Sequence, residues 1–88
     1  MTPQHEPGRQ RFTLPTTPLS VLDYELSAGR VVFTHTGVPP AYRGQGLAAK
    51  LVEAGLQWAR EEGLKVVPAC SYAQLYIQRH PEWQNLVA

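Results

Sequence analysis

Apolar residues recur with two different spacings along the chain, and the change between them predicts where strands give way to helices. Before residue 37, three short segments are rich in β-branched and aromatic residues, at 9–14, 19–26 and 30–36. The PTTP stretch at 15–18 and the Ala28-Gly29 pair separate them. Segments of this kind, bounded by turn residues, are typical of an antiparallel meander.

A helical spacing replaces the strand pattern at Gly44. Apolar or small residues then share one face over about four turns. These positions are Leu47, Leu51, Gly55 and Trp58. Gly63 is suited to the left-handed conformation that ends many helices. The pattern therefore predicts a helix over 44–62.

A short strand and a second helix are predicted to follow. Residues 64–70 (LKVVPAC) are apolar, and a strand, a crossover helix and a strand in succession imply a parallel pair with a right-handed connection. Ser71 and Gln74 match a capping box, so the second helix is expected to begin at Ser71 and to stop before Pro81. Residues 82–88 are expected to form a final turn or strand. The fold class is thus mixed α/β (α+β).

Composition and charge limit the classes of function and partner. The 88 residues suffice for one small domain, expected at 9–88 after a flexible leader at 1–8. The net charge of +1 gives no reason to expect nucleic acid or a membrane surface as a partner. The single cysteine fits a reducing, cytoplasmic setting. A domain this small has a modest core, and we expect a monomer or a weak homodimer.

The stretch AYRGQGLAA, at 41–49, places two glycines at the start of the predicted helix. Backbone N–H groups at a helix N-terminus suit phosphate oxygens, and Gly44 and Gly46 would let a pyrophosphate approach without a Cβ in the way. Arg43 could add a bidentate contact. An ordinary surface turn and a dinucleotide-binding loop both fit these glycines. Against the second, residues 64–70 do not end in the acidic residue that a dinucleotide fold expects.

The residues around the loop carry a more specific signal. Arg43-x-x-Gly46-x-Ala48 resembles the pyrophosphate-binding signature of the GNAT acetyltransferases. Four blocks in one order resemble the minimal, single-domain GNAT-like proteins: His35-Thr36-x-Val38-Pro39, Arg43-Gly44-Gln45-Gly46-Leu47-Ala48, Val67-Pro68-x-Cys70-Ser71-Tyr72 and His80-Pro81-Glu82-Trp83. The resemblance extends over residues 9–85.

This resemblance implies a cosubstrate and an activity. The cosubstrate would be acetyl-CoA (coenzyme A), with its pyrophosphate on the N–H groups of Arg43, Gly44, Gln45, Gly46, Leu47 and Ala48. Its pantetheine arm would lie between the third and fourth predicted strands and bond the backbone near Val38. The implied activity is transfer of an acetyl group to an amine of unidentified class. A CoA-binding module without transferase activity and an interaction domain with an empty glycine turn are the alternatives.

Pro68 and Cys70 lie in the strand that follows the predicted crossover. Because proline removes a ladder hydrogen bond, its place in a strand expected to be central suggests that the strand splays from its neighbour there. Such a splay would open a cleft; an edge strand is the other explanation. Cys70 then precedes a helix N-terminus, which favours the thiolate. Cys70 is therefore a candidate nucleophile, or else a buried structural thiol.

His35 and Tyr76 are the remaining catalytic candidates. His35 shares strand parity with Val31 and Phe33, which predicts that it faces inward, as a general base or as a hydrogen-bonded core histidine. Leu75-Tyr76 resembles the Leu-Tyr pair of the GNAT family, which implies Tyr76 as the general acid, unless it is a packing residue. A metal site would have only His35 and Cys70 as ligands, so none is expected.

Overall fold

The strands lie across one sheet in the order in which they occur along the chain. In the computed structural model, which describes residues 1–88, they are β1 (Gln4–Glu6), β2 (Arg11–Leu14), β3 (Ser20–Ser27), β4 (Arg30–Gly37) and β5 (Lys65–Pro68). The first four are antiparallel to their neighbours, whereas β5 pairs with β4 in parallel. The predicted meander and crossover are therefore confirmed.

Two α-helices and three short 3-10 helices complete the fold. The α-helices are α1 (Leu47–Glu61), which connects β4 to β5, and α2 (Ser71–Arg79). The 3-10 helices are Pro7–Arg9, Pro40–Tyr42 and Pro81–Leu86. Helix α1 begins three residues later than predicted because Gly44 and Gly46 have φ of +83° and +75°, outside the helical region. No helix has the length and apolar character that crossing a membrane requires.

Both α-helices pack on the same face of the sheet and enclose one hydrophobic core. Helix α1 contacts β2 to β5, and α2 contacts α1, β4 and β5. Close approach of α1 depends on Gly55, where an added Cβ would lie 2.8 Å from Leu22 Cδ2 and 2.9 Å from Phe33 Cζ. The core comprises Phe12, Leu14, Leu22, Tyr24, Val31, Phe33, Leu47, Leu51, Val52, Leu56, Ala59, Val66, Ala73, Tyr76, Ile77 and Trp83.

The opposite face of the sheet, here called the open face, is not covered by a helix. Its strand residues alternate with the buried ones, and Val21, Asp23 and Val32 are only half-buried while Glu25 is exposed. Strand alternation places one set of side chains against the helices and leaves the other towards solvent. The fold therefore has two layers.

The first residues depart from the predicted flexible leader. Gln4–Glu6 form β1, which pairs with Arg11–Thr13 of β2. His5 stacks on Phe12 with ring centroids 4.1 Å apart, and its Nε2 lies 2.6 Å from the Tyr24 hydroxyl. The prediction of a loose leader is wrong for this stretch, since cross-strand contacts hold it.

The C-terminal residues return to the sheet after α2. The 3-10 helix Pro81–Leu86 buries Trp83, and the Arg60 guanidinium lies 4.1 Å from the centroid of its ring. Val87 then forms an isolated parallel bridge with Val66. The predicted final turn or strand is thus a turn of 3-10 helix followed by a single bridge.

Candidate functional site

The loop before α1 presents a row of backbone donors. No N–H group from Gly44 to Ala49 has a hydrogen-bond partner within the chain, and the first bond of the helix is Lys50 N–H to Gly46 O, at 3.2 Å. The N-cap position is Gly46, so no side chain caps the helix. An added Cβ at Gly44 or Gly46 would meet no atom within 4 Å. Unpartnered donors at a positive helix end form an anion-binding arrangement.

Strands β4 and β5 separate beside this loop. Their last pair is Phe33 with Pro68, and the N–H groups of Ala69 and Cys70 both donate to Phe33 O, at 3.1 and 3.0 Å. Strand β4 then continues to Gly37 without a partner on this side. The expected splay is confirmed. The expectation that Pro68 lies in a central strand is wrong, because β5 is at the edge of the sheet.

A cavity of about 520 Å³ joins the loop to the free edge of β4. Of the residues predicted to bind the cosubstrate, Val38, Arg43, Gly44, Gly46, Leu47 and Ala48 line it, whereas Gln45 is exposed outside it. His35 lines it too. The exposed Arg43 side chain spans the loop, and its Nε donates to Val38 O at 3.4 Å.

Four further residues line this cleft and were not singled out as site residues from the sequence. They are Thr36, Gly37, Tyr42 and Tyr72. Thr36 and Tyr72 belong to the sequence blocks that carry the family resemblance, and membership of those blocks could have identified them as residues of the cleft. Burial raises the pKa of the Tyr72 phenol, with Arg79 acting in the opposite direction. The phenol is therefore neutral, and a donor, at physiological pH.

Cys70 lies at the N-terminal end of α2, in contact with Thr36 of the cleft wall but not itself among the residues that line the cleft. It is itself the N-cap, and its Sγ accepts a hydrogen bond from the Ala73 N–H at 3.4 Å. The Thr36 hydroxyl lies 3.3 Å from the same sulfur. The predicted capping box at Ser71 is wrong, because Ser71 is already the first residue of the helix. The half-buried thiol is thus held between a helix N-terminus and a residue of the cleft wall.

His35 does not face the core as its position in the strand predicts. The register between β3 and β4 shifts at Asp23/Tyr24, where Asp23 pairs with His35 but Tyr24 pairs with Phe33. This bulge reverses the alternation, so His35 is exposed on the open face and Thr36 takes the inward position. The imidazole lies over Gly37, where a Cβ would be 2.9 Å from His35 Nε2.

Tyr76 points away from the cleft into the groove between α1 and α2. Its hydroxyl donates to Glu53 Oε2 at 3.2 Å, and its ring stacks on that of His80 at a centroid distance of 4.0 Å. Burial, followed by the charge and hydrogen bond of Glu53, raises the pKa of Tyr76 to about 12. The structure therefore brings His35 and the glycine loop together, with Cys70 adjoining, but sets Tyr76 apart. No group of three or more His, Cys, Asp or Glu residues is arranged to hold a metal ion.

Comparison with the sequences of known proteins finds relatives of this chain. A sequence profile described as GCN5-related N-acetyl-transferase matches residues 11–86. Protein NATD1 from Gallus gallus is 39% identical over 87 residues, covering 94% of this chain and 79% of that protein. The Homo sapiens protein of the same name is also 39% identical, over 94% of this chain and 77% of its own length.

A solved structure is similar over nearly the whole chain. The solution structure by NMR of a GCN5-like protein from Staphylococcus aureus matches with a TM-score of 0.77 and 27% sequence identity. The match covers 97% of this chain and 84% of that one. The similarity therefore extends over the sheet and both α-helices.

Proposed function

This chain belongs to the GCN5-related N-acetyltransferase family, and we propose that it transfers an acetyl group from acetyl-CoA to an amine. One observation carries the proposal: the loop from Gly44 to Ala49, whose N–H groups have no partner, borders the cleft beyond the point where β4 and β5 separate. The loop suits a pyrophosphate, and the cleft suits an extended chain.

The loop fits the diphosphate of coenzyme A on three counts. The free N–H groups can donate to phosphate oxygens, and the helix end adds a partial positive charge. The absence of a Cβ at Gly44 and Gly46 leaves room for close approach. Arg43 supplies a cation, since only its Nε is engaged, by Val38 O.

The free edge of β4 fits the pantetheine arm. His35, Thr36 and Gly37 are extended and paired only with β3, so their other edge can accept a ligand that adds as a strand. An arm lying there would bring the thioester beside Thr36 and His35. Tyr72 would close the cleft from the side of α2.

Two chemical routes are compatible with this arrangement. In direct transfer, the amine attacks the thioester carbon and His35 accepts its proton. In the covalent route, Cys70 Sγ attacks the thioester carbon and displaces the CoA thiolate, and the amine then attacks the acetyl-Cys70 carbon and displaces Cys70 Sγ. The contact between Thr36 and Cys70 Sγ brings the thiol to the cleft wall for the second route. Tyr76 could protonate the leaving thiolate only after its hydroxyl leaves Glu53.

A CoA-binding module without transferase activity remains the second candidate function. It is favoured by one specific observation: Tyr76, the proposed general acid, hydrogen-bonds Glu53 in a different groove. Binding with no product and no modified protein would support this candidate.

The test combines calorimetry with intact-protein mass. We expect acetyl-CoA and free CoA both to bind, and a variant carrying both Arg43→Ala and Gly46→Asp to bind neither while remaining folded by circular dichroism. Acetyl mass on the wild type that is absent from Cys70→Ala would support the covalent route. Amine acetylation without acetyl mass would support direct transfer, and failure of the wild type to bind either CoA form would refute the proposal.

A further inference from the structure

The cleft is lined from both faces of the sheet, by His35 on the open face and by Thr36 and Leu47 on the helix side, and a row of polar side chains leads to it across the open face. The register places Arg11 opposite Asp23, and Asp23 opposite His35. Directly opposed residues of antiparallel strands point to the same face. Arg11, Asp23 and His35 therefore form a row across β2, β3 and β4, and the row ends at the cleft.

Asp23 is the only member of this row with a carboxylate, and it has no partner. Arg11 is engaged by Glu6 of β1 on its other side, in the only ion pair of the structure. The Asp23 side chain makes neither a hydrogen bond nor an ion pair, although its backbone carbonyl accepts from the Thr34 hydroxyl at 3.2 Å. A half-buried, unpaired negative charge thus lies one strand away from His35.

The two sides of the cleft consequently differ in the charge they favour. On the helix side, the loop amides and Arg43 favour an anion. On the open face, Asp23 favours a cation beside the imidazole of His35. Neighbouring strands are about 4.8 Å apart, so a molecule in contact with His35 lies within reach of the Asp23 carboxylate.

We propose that the acceptor is an amine carrying a positive charge close to its reacting nitrogen, that it binds on the open face, and that Asp23 selects it. This inference rests on the proposed acetyl transfer. The cation lies on Asp23 while the neutral reacting nitrogen attacks the thioester carbon. A C–N bond forms, the C–S bond breaks with its electron pair leaving on sulfur, His35 takes the proton from nitrogen, and the thiolate takes a proton from water.

Two acceptors of the same length test the proposal on the full chain. Both 1,4-diaminobutane and 4-aminobutanoate offer a primary amine, but the other end of the first carries an ammonium group and that of the second a carboxylate. We expect acetylation of the diamine to exceed that of the amino acid about tenfold in kcat/KM, since attraction and repulsion at a partly exposed carboxylate each contribute a few-fold. Asp23→Asn should bring the ratio close to one.

Glu25→Gln is the matched control, because Glu25 lies two residues along β3 on the same face but opposite Val32, away from the cleft. It should leave the charge preference unchanged. Equal use of the two amines by the wild type, or a preference that survives in Asp23→Asn, would overturn the inference while leaving acetyl transfer intact.

A binding measurement separates this inference from the proposed function. In the presence of free CoA, 1,4-diaminobutane should shift the NMR signals of Thr34 and His35 in the wild type and shift them less in Asp23→Asn. If CoA binds but the diamine shifts neither signal and is not acetylated, the inference is wrong. If CoA itself does not bind, the proposed function fails first, and the diamine titration of the free protein then decides whether Asp23 recognises a cation.

Discussion

Two cavities of similar size lie along α1, and they differ in how their polar groups are used. The cleft at the start of α1 has about 520 Å³, and a second cavity further along the helix has about 550 Å³. His5, Phe12 and Trp58 line the second cavity, and we call these residues together with the neighbouring Tyr24 the aromatic edge. The larger volume is therefore not at the glycine loop.

The partly buried polar groups at the aromatic edge are already paired. His5 contacts the Tyr24 hydroxyl, and Arg11 pairs with Glu6 nearby. The rings of Phe12, Tyr24 and Trp58 surround the imidazole, with centroids 4.1 to 5.7 Å from it. In the loop beside the cleft, by contrast, six consecutive N–H groups lack partners. Unpartnered backbone donors, rather than volume, distinguish the ligand site that we propose, and we assign the aromatic edge to stability.

The largest expected effect is loss of CoA binding in Gly46→Asp. A carboxylate at this N-cap would lie against the diphosphate, and we expect an affinity loss of about 100-fold by calorimetry, as like charges a few ångströms apart cost several kcal/mol at a protein surface. The fold should persist, because aspartate is among the few residues other than glycine that adopt the positive φ of this position, at a cost of about 1–2 kcal/mol.

Gly63→Asp is the matched control at the other end of α1. Gly63 also has positive φ, +68°, and open space around its Cβ position. A carboxylate there opposes the helix dipole, so this variant should lose some stability and keep its CoA affinity. Similar affinity losses in the two variants would show that the loop has no special role.

Trp58→Ala is expected to have the opposite effect, with stability lost and binding kept. Removing the indole leaves the rings of His5, Phe12 and Tyr24 without their neighbour, and we expect a loss of about 2–4 kcal/mol in the free energy of unfolding by urea denaturation. Leu75→Ala, at a residue 41% exposed, is the control and should cost far less. A specific loss of CoA binding by folded Trp58→Ala protein would contradict the division between the two regions.

Gly55→Ala tests how closely α1, the helix that borders both regions, must pack on the sheet. The added methyl group must displace Leu22 or Phe33, and overpacking of this kind costs about 1–3 kcal/mol. Alanine would otherwise favour a helix by about 1 kcal/mol, so a net destabilisation by urea denaturation would be informative. Gly8→Ala, which meets no atom within 4 Å, is the control. An unchanged or higher stability of Gly55→Ala would mean that α1 moves freely on the sheet.

Local signals explain which parts of the fold could be predicted. The helical spacing from Leu47 to Trp58 and the glycine before it predicted α1 and its loop, because periodicity and turn chemistry act over a few residues. The parallel pairing of β4 and β5 could be predicted because a strand, a helix and a strand in succession require a crossover connection. Pro68 marked the place where β4 and β5 separate, although that inference assumed a central strand and β5 is at the edge of the sheet.

The features that were missed depend on contacts between distant segments. β1 has three residues, too few for a strand pattern, and is held by the stacking of His5 on Phe12. The exposure of His35 follows from a bulge that arises where β3 and β4 pair. Cys70 replaces Ser71 as the cap because the thiol packs against Thr36, 34 positions earlier in the chain. None of these contacts is visible in a local pattern.

The smallest expected effect is a pH dependence of stability that belongs to the aromatic edge. Burial lowers the pKa of His5 from 6.5, with the charge of Glu62 acting in the opposite direction. The folded protein therefore binds this proton less readily than the unfolded chain does. The contribution to stability is complete above pH 6.5 and is lost as the pH falls from there through the folded-state pKa.

We expect Tm to fall in this window in the wild type and to fall less in His5→Phe, which keeps the stacked ring. Tyr24→Phe removes the hydroxyl but leaves His5 buried, so it should retain most of the pH dependence, because burial is the larger cause. Parallel Tm curves for the wild type and His5→Phe would show instead that the edge does not respond to this proton.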